Sequence, residues 1–282
     1  MNPTLRRRTK VRIAAVFAAI ATSAVVAPSA EAAPAAHGDV VHIVKPGIAA
    51  QASHSNNWFG YNQGTLEQNG KLFHSITGDW TVPTATQHSP GKAEASSDWI
   101  GIGGGCLNAN CTLGDATLIQ TGTEQDVSRS GKASYSAWWE LIPAPSVTIA
   151  RMTVTPGDHM HAAVAETISG SNVWNITLRD VTRSETFTTT VPYPSTHATA
   201  EWIEETPLVI GTGAGLAPLP NLSKTAFDLG TVNGARAGLR PREEIQLTTS
   251  SGNVIGTPSA PDSDLDGFGL CAWATSCGVP AS

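Results

Sequence analysis

Val173-Trp-Asn-Ile-Thr-Leu-Arg-Asp-Val181 (VWNITLRDV) is a short run rich in β-branched and aromatic residues. Gly170-Ser171-Asn172 stands directly before it. That combination reads as a strand bounded by a turn. The same texture extends both ways, in Ser146–Thr155 (SVTIARMTVT), His159–Ile168, Thr186–Val191 and Glu244–Thr249. Between these runs lie Gly, Pro, Ser and Asn, and beyond the N-terminal region no stretch carries a helical apolar period of useful length. Some 220 residues of short strands in one domain point to an all-β fold, a sandwich or a barrel. From Asn56 the texture is uniform, so residues 53–282 are read as one domain.

Composition narrows the function classes. The chain has 282 residues, 40% of them apolar and 14% charged, with a formal net charge of −6. That apolar share builds a core and excludes wholesale disorder. The mild acidity argues against nucleic acid or an anionic membrane as partner.

The N-terminus differs from the rest. Arg6, Arg7, Arg8, Lys10 and Arg12 precede the apolar run Ile13–Ala27, which is followed by Ala30-Glu31-Ala32. A basic stretch, a short apolar run and an A-x-A site predict a secretory signal peptide over residues 1–32. The run is 15 residues long, and a membrane span needs about 20. Residues 33–52 read as a short pro-segment or flexible arm. Removing 1–32 takes away five of 17 basic and one of 23 acidic residues, leaving 12 against 22 and a net of −10. A secreted, extracellular, monomeric product is expected.

Four cysteines remain, Cys106, Cys111, Cys271 and Cys277, in two local pairs. In an oxidising compartment each pair is expected to close a small disulfide loop, with cross-pairing the alternative. Zinc is disfavoured by the spacing. His159-x-His161 shows no third ligand. Asp262-Ser-Asp264-Leu-Asp266-Gly267 resembles the first half of an EF-hand loop, but its twelfth position is Trp273 where Glu is required. An acidic turn is therefore the preferred reading there, and no metal or cofactor is expected.

Eight tryptophans stand against three tyrosines and six phenylalanines. In the adjacent pair Trp138-Trp139 the rings must point to opposite faces of a strand. One can join the core while the other meets a groove. There is no HExxH, GxSxG or P-loop. What remains for chemistry is carboxylates and amides beside aromatics, in Leu118-Ile-Gln120-Thr-Gly122, Tyr135-Ser-Ala-Trp138-Trp139-Glu140 and Ala200-Glu201-Trp202-Ile203-Glu204-Glu205. As a strand, the last sets Glu201, Ile203 and Glu205 on one face and Ala200, Trp202 and Glu204 on the other.

These segments, in this order, resemble the glutamic peptidases, the eqolisins. The likeness starts at Asn57-Trp58-x-Gly60-Tyr61 and runs through Trp80-Thr-Val82-Pro83, Trp99-Ile-Gly101-Ile102, the three segments above and Pro156-Gly157-Asp158. It implies a β-sandwich of two bent antiparallel sheets with a substrate groove on one face. It implies a catalytic dyad of Gln120 and Glu205, with Trp58, Trp99, Tyr135, Trp138 and Glu140 lining or supporting the groove. The substrate class would be polypeptides, cut in acid and without inhibition by pepstatin. A glutamate base of ordinary pKa, about 4.3, suits an acidic setting. One departure is Gly103, where several fungal members carry an Asp. The alternatives are a carbohydrate-active sandwich, glycosidase or lectin, using carboxylates such as Glu140 and Glu205, and a non-catalytic binding module.

Overall fold

A computed structural model describes residues 40–41, 54–108, 111–209 and 215–282. The expected signal peptide (1–32) lies outside them, as does all of the 33–52 segment except Val40–Val41. Those two residues form a short strand paired antiparallel with Leu208–Val209.

Thirteen strands of five or more residues follow. They are β1 (Trp58–Gly64), β2 (Ser75–Thr81), β3 (Glu94–Gly103), β4 (Leu118–Val127), β5 (Ala133–Leu141), β6 (His159–Glu166) and β7 (Val173–Asp180). Then come β8 (Glu185–Pro192), β9 (Thr199–Glu205), β10 (Thr225–Val232), β11 (Glu244–Thr248), β12 (Val254–Pro258) and β13 (Phe268–Ala272). Among the described residues the one helical piece is the single 3₁₀ turn Pro241–Glu243.

The strands build two antiparallel layers in the orders β8-β7-β6-β2-β10-β13-β12-β11 and β11-β1-β9-β3-β4-β5. Strand β11 pairs with β12 in one layer and with β1 in the other, so the hydrogen-bonded path turns through it. Strands β2, β6 and β7 face β3 and β4 across the sandwich. The expected β-sandwich is the observed fold. Residues 207–282, which carry none of the quoted motifs, supply β10–β13 and so complete the first layer.

One expected strand is mostly absent. In Ser146–Thr155 only Val147–Thr148 pairs, against Trp138 and Trp139. The Ile149 amide still bonds to the Ala137 carbonyl, and then the chain turns back on itself with the Met152 amide on the Ile149 carbonyl. Burial of Ile149, Met152 and Val154 is met by this turn as well as by a strand.

The two layers differ in what covers them. In β7 and β8 buried or half-buried residues alternate with exposed ones, as a half-solvated sheet requires. In β1, β3 and β9 every residue is buried. One face of that layer gives Phe59, Tyr61, Ile100, Ile102, Ile119 and Trp202 to the main core. The other face carries Trp58, Trp99, Leu118, Trp138 and Ile203 as a second apolar cluster. Indole donors tie the layers together. Trp80 Nε1 donates to Thr123 Oγ1 at 2.9 Å and Trp202 Nε1 to the Thr77 carbonyl at 2.8 Å. Gly78 makes the second contact possible, because a Cβ there would lie 2.8 Å from the Trp202 ring. Cys106–Cys111 and Cys271–Cys277 are disulfides, paired locally as expected.

Burial on both faces also traps carboxyl groups. Asp98 and Glu204 are register partners on β3 and β9, each wholly buried on the core side. Gln125 Nε2 reaches Asp98 Oδ2 at 3.1 Å and Glu204 Oε1 at 3.4 Å. Desolvation holds both pKa values above the ordinary carboxylate range, and the Asp98 charge raises Glu204 further. In the unfolded chain both ionise near pH 4. Above that pH the folded chain binds more protons than the unfolded chain, so this pair makes stability fall as pH rises. The thermal unfolding midpoint should therefore drop between pH 4 and pH 7. Asp98→Asn or Glu204→Gln should flatten that drop, which a series of melts across pH would read directly.

Candidate active site

Strands β1, β9, β3, β4 and β5 lie side by side, so their outward residues form a lattice. One row runs Glu140, Gln120, Gly101, Glu201, Asn62. The next parallel row runs Trp138, Gly122, Trp99, Ile203, Gly60. A third runs Ser136, Glu124, Ser97, Glu205, Trp58. Period two along each strand puts all three rows on the face opposite the main core.

In the first row Gln120 and Glu140 are fully buried and in contact, with Gln120 Nε2 donating to Glu140 Oε2 at 2.6 Å. An amide nitrogen has two hydrogens. Glu140 holds one and thereby fixes the plane of the Gln120 amide. Beside them Gly101 leaves the row open, since a Cβ there would sit 3.1 Å from Gln120 Cβ and 3.0 Å from the Trp99 ring. Across that gap lies Glu201. Its carboxyl is wholly buried, and desolvation pushes its pKa well above the ordinary value. The main chain at Gly105 closes over it, and Asn62 straps that loop down by bonds to both the amide and the carbonyl of Cys106 at 2.9 Å.

In the third row Glu205 Oε2 accepts the Trp99 indole N–H at 2.8 Å, and Oε1 faces Asn57 Nδ2 at 3.4 Å. Trp58 packs edge-on against Trp99, with ring centroids 4.9 Å apart. Its own indole nitrogen is buried and has no hydrogen-bond partner among the described residues. Trp138 Nε1 donates to Ser97 Oγ at 3.0 Å, which itself donates to the Thr123 carbonyl at 2.8 Å.

Of the residues read from the sequence, Gln120, Glu140, Trp58, Trp99, Trp138 and Glu205 share this face. Gln120 and Glu205 do not touch. They stand on β4 and β9 with β3 between them, opposite Gly101 and Ser97 respectively. On a flat sheet that offset sets their Cα atoms about 16 Å apart. Trp99 fills the middle. Tyr135 needs correcting as a groove-lining residue. Its side chain leaves the opposite side of β5, with Trp139 and Leu141, and packs against the main core. Its hydroxyl accepts the Ala85 amide at 3.0 Å, so any part it plays is support from behind. Odd and even positions on one strand cannot share a face, and Tyr135 and Trp138 are three apart.

Glu124 was missed. It lies four residues beyond Gln120 on the same face of β4 and shares a row with Glu205 across Ser97. The strand period alone would have found it. The pair His159-x-His161 shares one carboxylate. His159 Nε2 and His161 Nδ1 both meet Asp79, at 2.8 and 2.6 Å.

The face thus joins an amide held by a carboxylate to a second carboxylate held by an indole. The chain matches the Peptidase A4 family over residues 56–264, and it belongs to that family of peptide-bond hydrolases. Its fold is similar to that of scytalido-glutamic peptidase, solved with a peptide-based transition state analogue. The TM-score is 0.59 at 18% identity, covering 77% of this chain and 98% of that one. It is also similar to SCP-B, a member of the eqolisin family solved with the tripeptide Ala-Ile-His. There the TM-score is 0.55 at 17% identity, with the same coverage. Compared with curated proteins as whole sequences, it has no significant match.

The Trp99 indole is the contact most open to test. Trp99→Phe keeps an aromatic ring in the cluster and removes the donor to Glu205. A hydrogen bond to a charged group contributes about 1.5–3 kcal/mol, so kcat should fall about 10- to 100-fold. The unfolding midpoint should change by only a few degrees. Peptide-hydrolysis kinetics and a melt on the same sample separate the two effects.

Proposed function

We propose that this chain is a secreted acid endopeptidase that hydrolyses polypeptides with Gln120 and Glu205 and an activated water. The observation that carries this reading is the placement of both side chains on one buried face, each already oriented by a neighbour.

The substrate would lie across the rows with its scissile carbonyl between β4 and β9, over Gly101 and Trp99. The carboxylate of Glu205 takes a proton from water as the water oxygen bonds to the carbonyl carbon. Two N–H donors already face that carboxylate, which keeps its oxygens aimed. The side-chain amide of Gln120 donates an N–H to the oxyanion. Protonated Glu205 then gives its proton to the amide nitrogen as the C–N bond breaks, leaving an acid and an amine. The unmet Trp58 N–H is a ready donor for a substrate main-chain carbonyl.

Of the glutamates on this face, Glu201 is set apart by the desolvation of its carboxyl. A base must be ionised. Glu201 has its pKa pushed well above the ordinary value and stays protonated in acid. On this reading Glu205, which ends the family-like motif, is the base, and Glu201 is a neutral neighbour.

The carbohydrate reading has one specific observation behind it, since Glu124 is a carboxylate in the row of Glu205. Membership of a peptidase family decides for peptide bonds. The partner proposed is therefore a polypeptide, with the enzyme a monomer. Among the described residues no helix is long and apolar enough to cross a membrane.

The test is digestion of casein or haemoglobin at acidic pH, with pepstatin present. Wild type should cleave. Gln120→Ala and Glu205→Gln should each lose about 10³-fold or more in kcat with the fold retained. Undiminished cleavage by either variant would sink the dyad. Cleavage of a polysaccharide in place of protein would revive the sugar reading.

A further inference from the structure

We propose that Asp228, Asp262 and Asp266 form a calcium-binding site that pins the turn before β13 to strand β10. Asp228 lies within β10, and Asp262 and Asp266 belong to the turn between β12 and β13. One ligand oxygen from each of the three lies within 4.8 Å of the others. Two oxygens on opposite sides of one calcium ion, at about 2.4 Å each, are about 4.8 Å apart. The set is therefore the right size for a single ion.

Asp228 Oδ1 accepts the Leu229 amide at 2.8 Å, but the two turn carboxyls are less well served. Asp262 Oδ1 accepts the Asp266 amide at 3.2 Å, while Asp262 Oδ2 is buried and has no hydrogen-bond partner among the described residues. Asp266 Oδ1 is likewise buried and unpartnered. Both side chains are almost wholly buried, with the residues 3% and 5% exposed. Leaving charged oxygens dry and unmet is costly. The nearby cation, Arg236, sits on the outside. Its Nη1 is 3.2 Å from Asp264 Oδ2 and its Nε 3.6 Å from Asp266 Oδ2, with the side chain 65% exposed. A single exposed guanidinium does not answer four carboxylates.

Gly267 shows that the backbone accommodates the convergence. A Cβ on that glycine would stand 2.5 Å from Asp262 Oδ2 and 3.1 Å from Asp228 Oδ1. Both oxygens therefore close over a position that only glycine leaves open. In the sequence the D-x-D-x-D-G run stops short of a calcium loop because Trp273 occupies its twelfth position. The fold supplies the absent carboxylate from elsewhere, as Asp228.

A second group of potential ligands, His74, Glu166 and His197, makes a useful contrast. There the carboxylate already accepts the Gly170 amide at 2.6 Å, the Asn172 amide at 2.7 Å and the His74 ring nitrogen at 2.6 Å. It needs no ion. All-oxygen donors at the Asp228 cluster suit a hard cation, and calcium tolerates irregular geometry better than magnesium does.

The experiment uses the whole chain, stripped of metal with EDTA and dialysed at pH 7. Calorimetric titration with calcium should show one ion bound per chain, and more tightly than magnesium. At calcium about 100-fold above Kd the unfolding midpoint should rise by about 5 °C or more. Asp228→Asn and Asp262→Asn should lose that rise, and Asp264→Asn should keep it. No bound calcium in the wild type overturns the proposal, as does a rise that persists in both Asp228→Asn and Asp262→Asn. Magnesium binding as tightly as calcium overturns the calcium assignment. If the variants do not fold, the wild-type titration decides alone.

Discussion

A sheet buried on both faces is the constraint on which this molecule depends. Strands β1, β3 and β9 have no solvent side, so each residue must suit either the core or the outer cluster. Polar side chains there lean on one another, because burial leaves them few other partners. The chain meets this with a small set of donors, mostly indoles and amides. Trp202 and Trp80 answer acceptors across the sandwich. Trp99 and Gln120 answer carboxylates on the other face. The same kind of contact thus closes the fold and orients the groups that carry the chemistry.

Buried carboxyls follow from the same constraint, and their behaviour links stability to working conditions. Asp98, Glu204 and Glu201 are all wholly buried with raised pKa values. Neutral carboxyls are cheap to bury and ionised ones are not. Acid is therefore the condition in which this sheet carries the least penalty. Few cations, 12 Lys and Arg once residues 1–32 are removed, limit repulsion there.

Much of the site was legible because a strand has a period of two. Glu201 and Glu205 were assigned one face and Trp202 and Glu204 the other, and the register bears this out. Trp138 and Trp139 divide between the outer cluster and the core as adjacent strand residues must. Tyr135 shows which of two readings, lining or supporting, the strand period allows. It belongs to the same motif as Trp138, yet an odd spacing sends it to the other side of the strand. Glu124 was overlooked because no motif marked it and only its row mate reveals it. The run Ser146–Thr155 has strand composition and mostly does not pair. Its apolar residues are buried by a turn, and composition does not distinguish the two.

The sequence by itself determined most of the strand content, the motif order and, through the period of two, which residues of one strand share a face. All of these depend on neighbours within a few positions. Tertiary structure alone decided which rows stand opposite one another. Gln120 is coupled to Glu140 by pairing across one hairpin, and Glu205 to Trp99 by pairing β9 with β3, more than a hundred residues away. It also decided which carboxylates are paired and which are left buried with unmet oxygens, as at Asp262 and Asp266. Burial and partners are sums over distant segments, and no local pattern carries them.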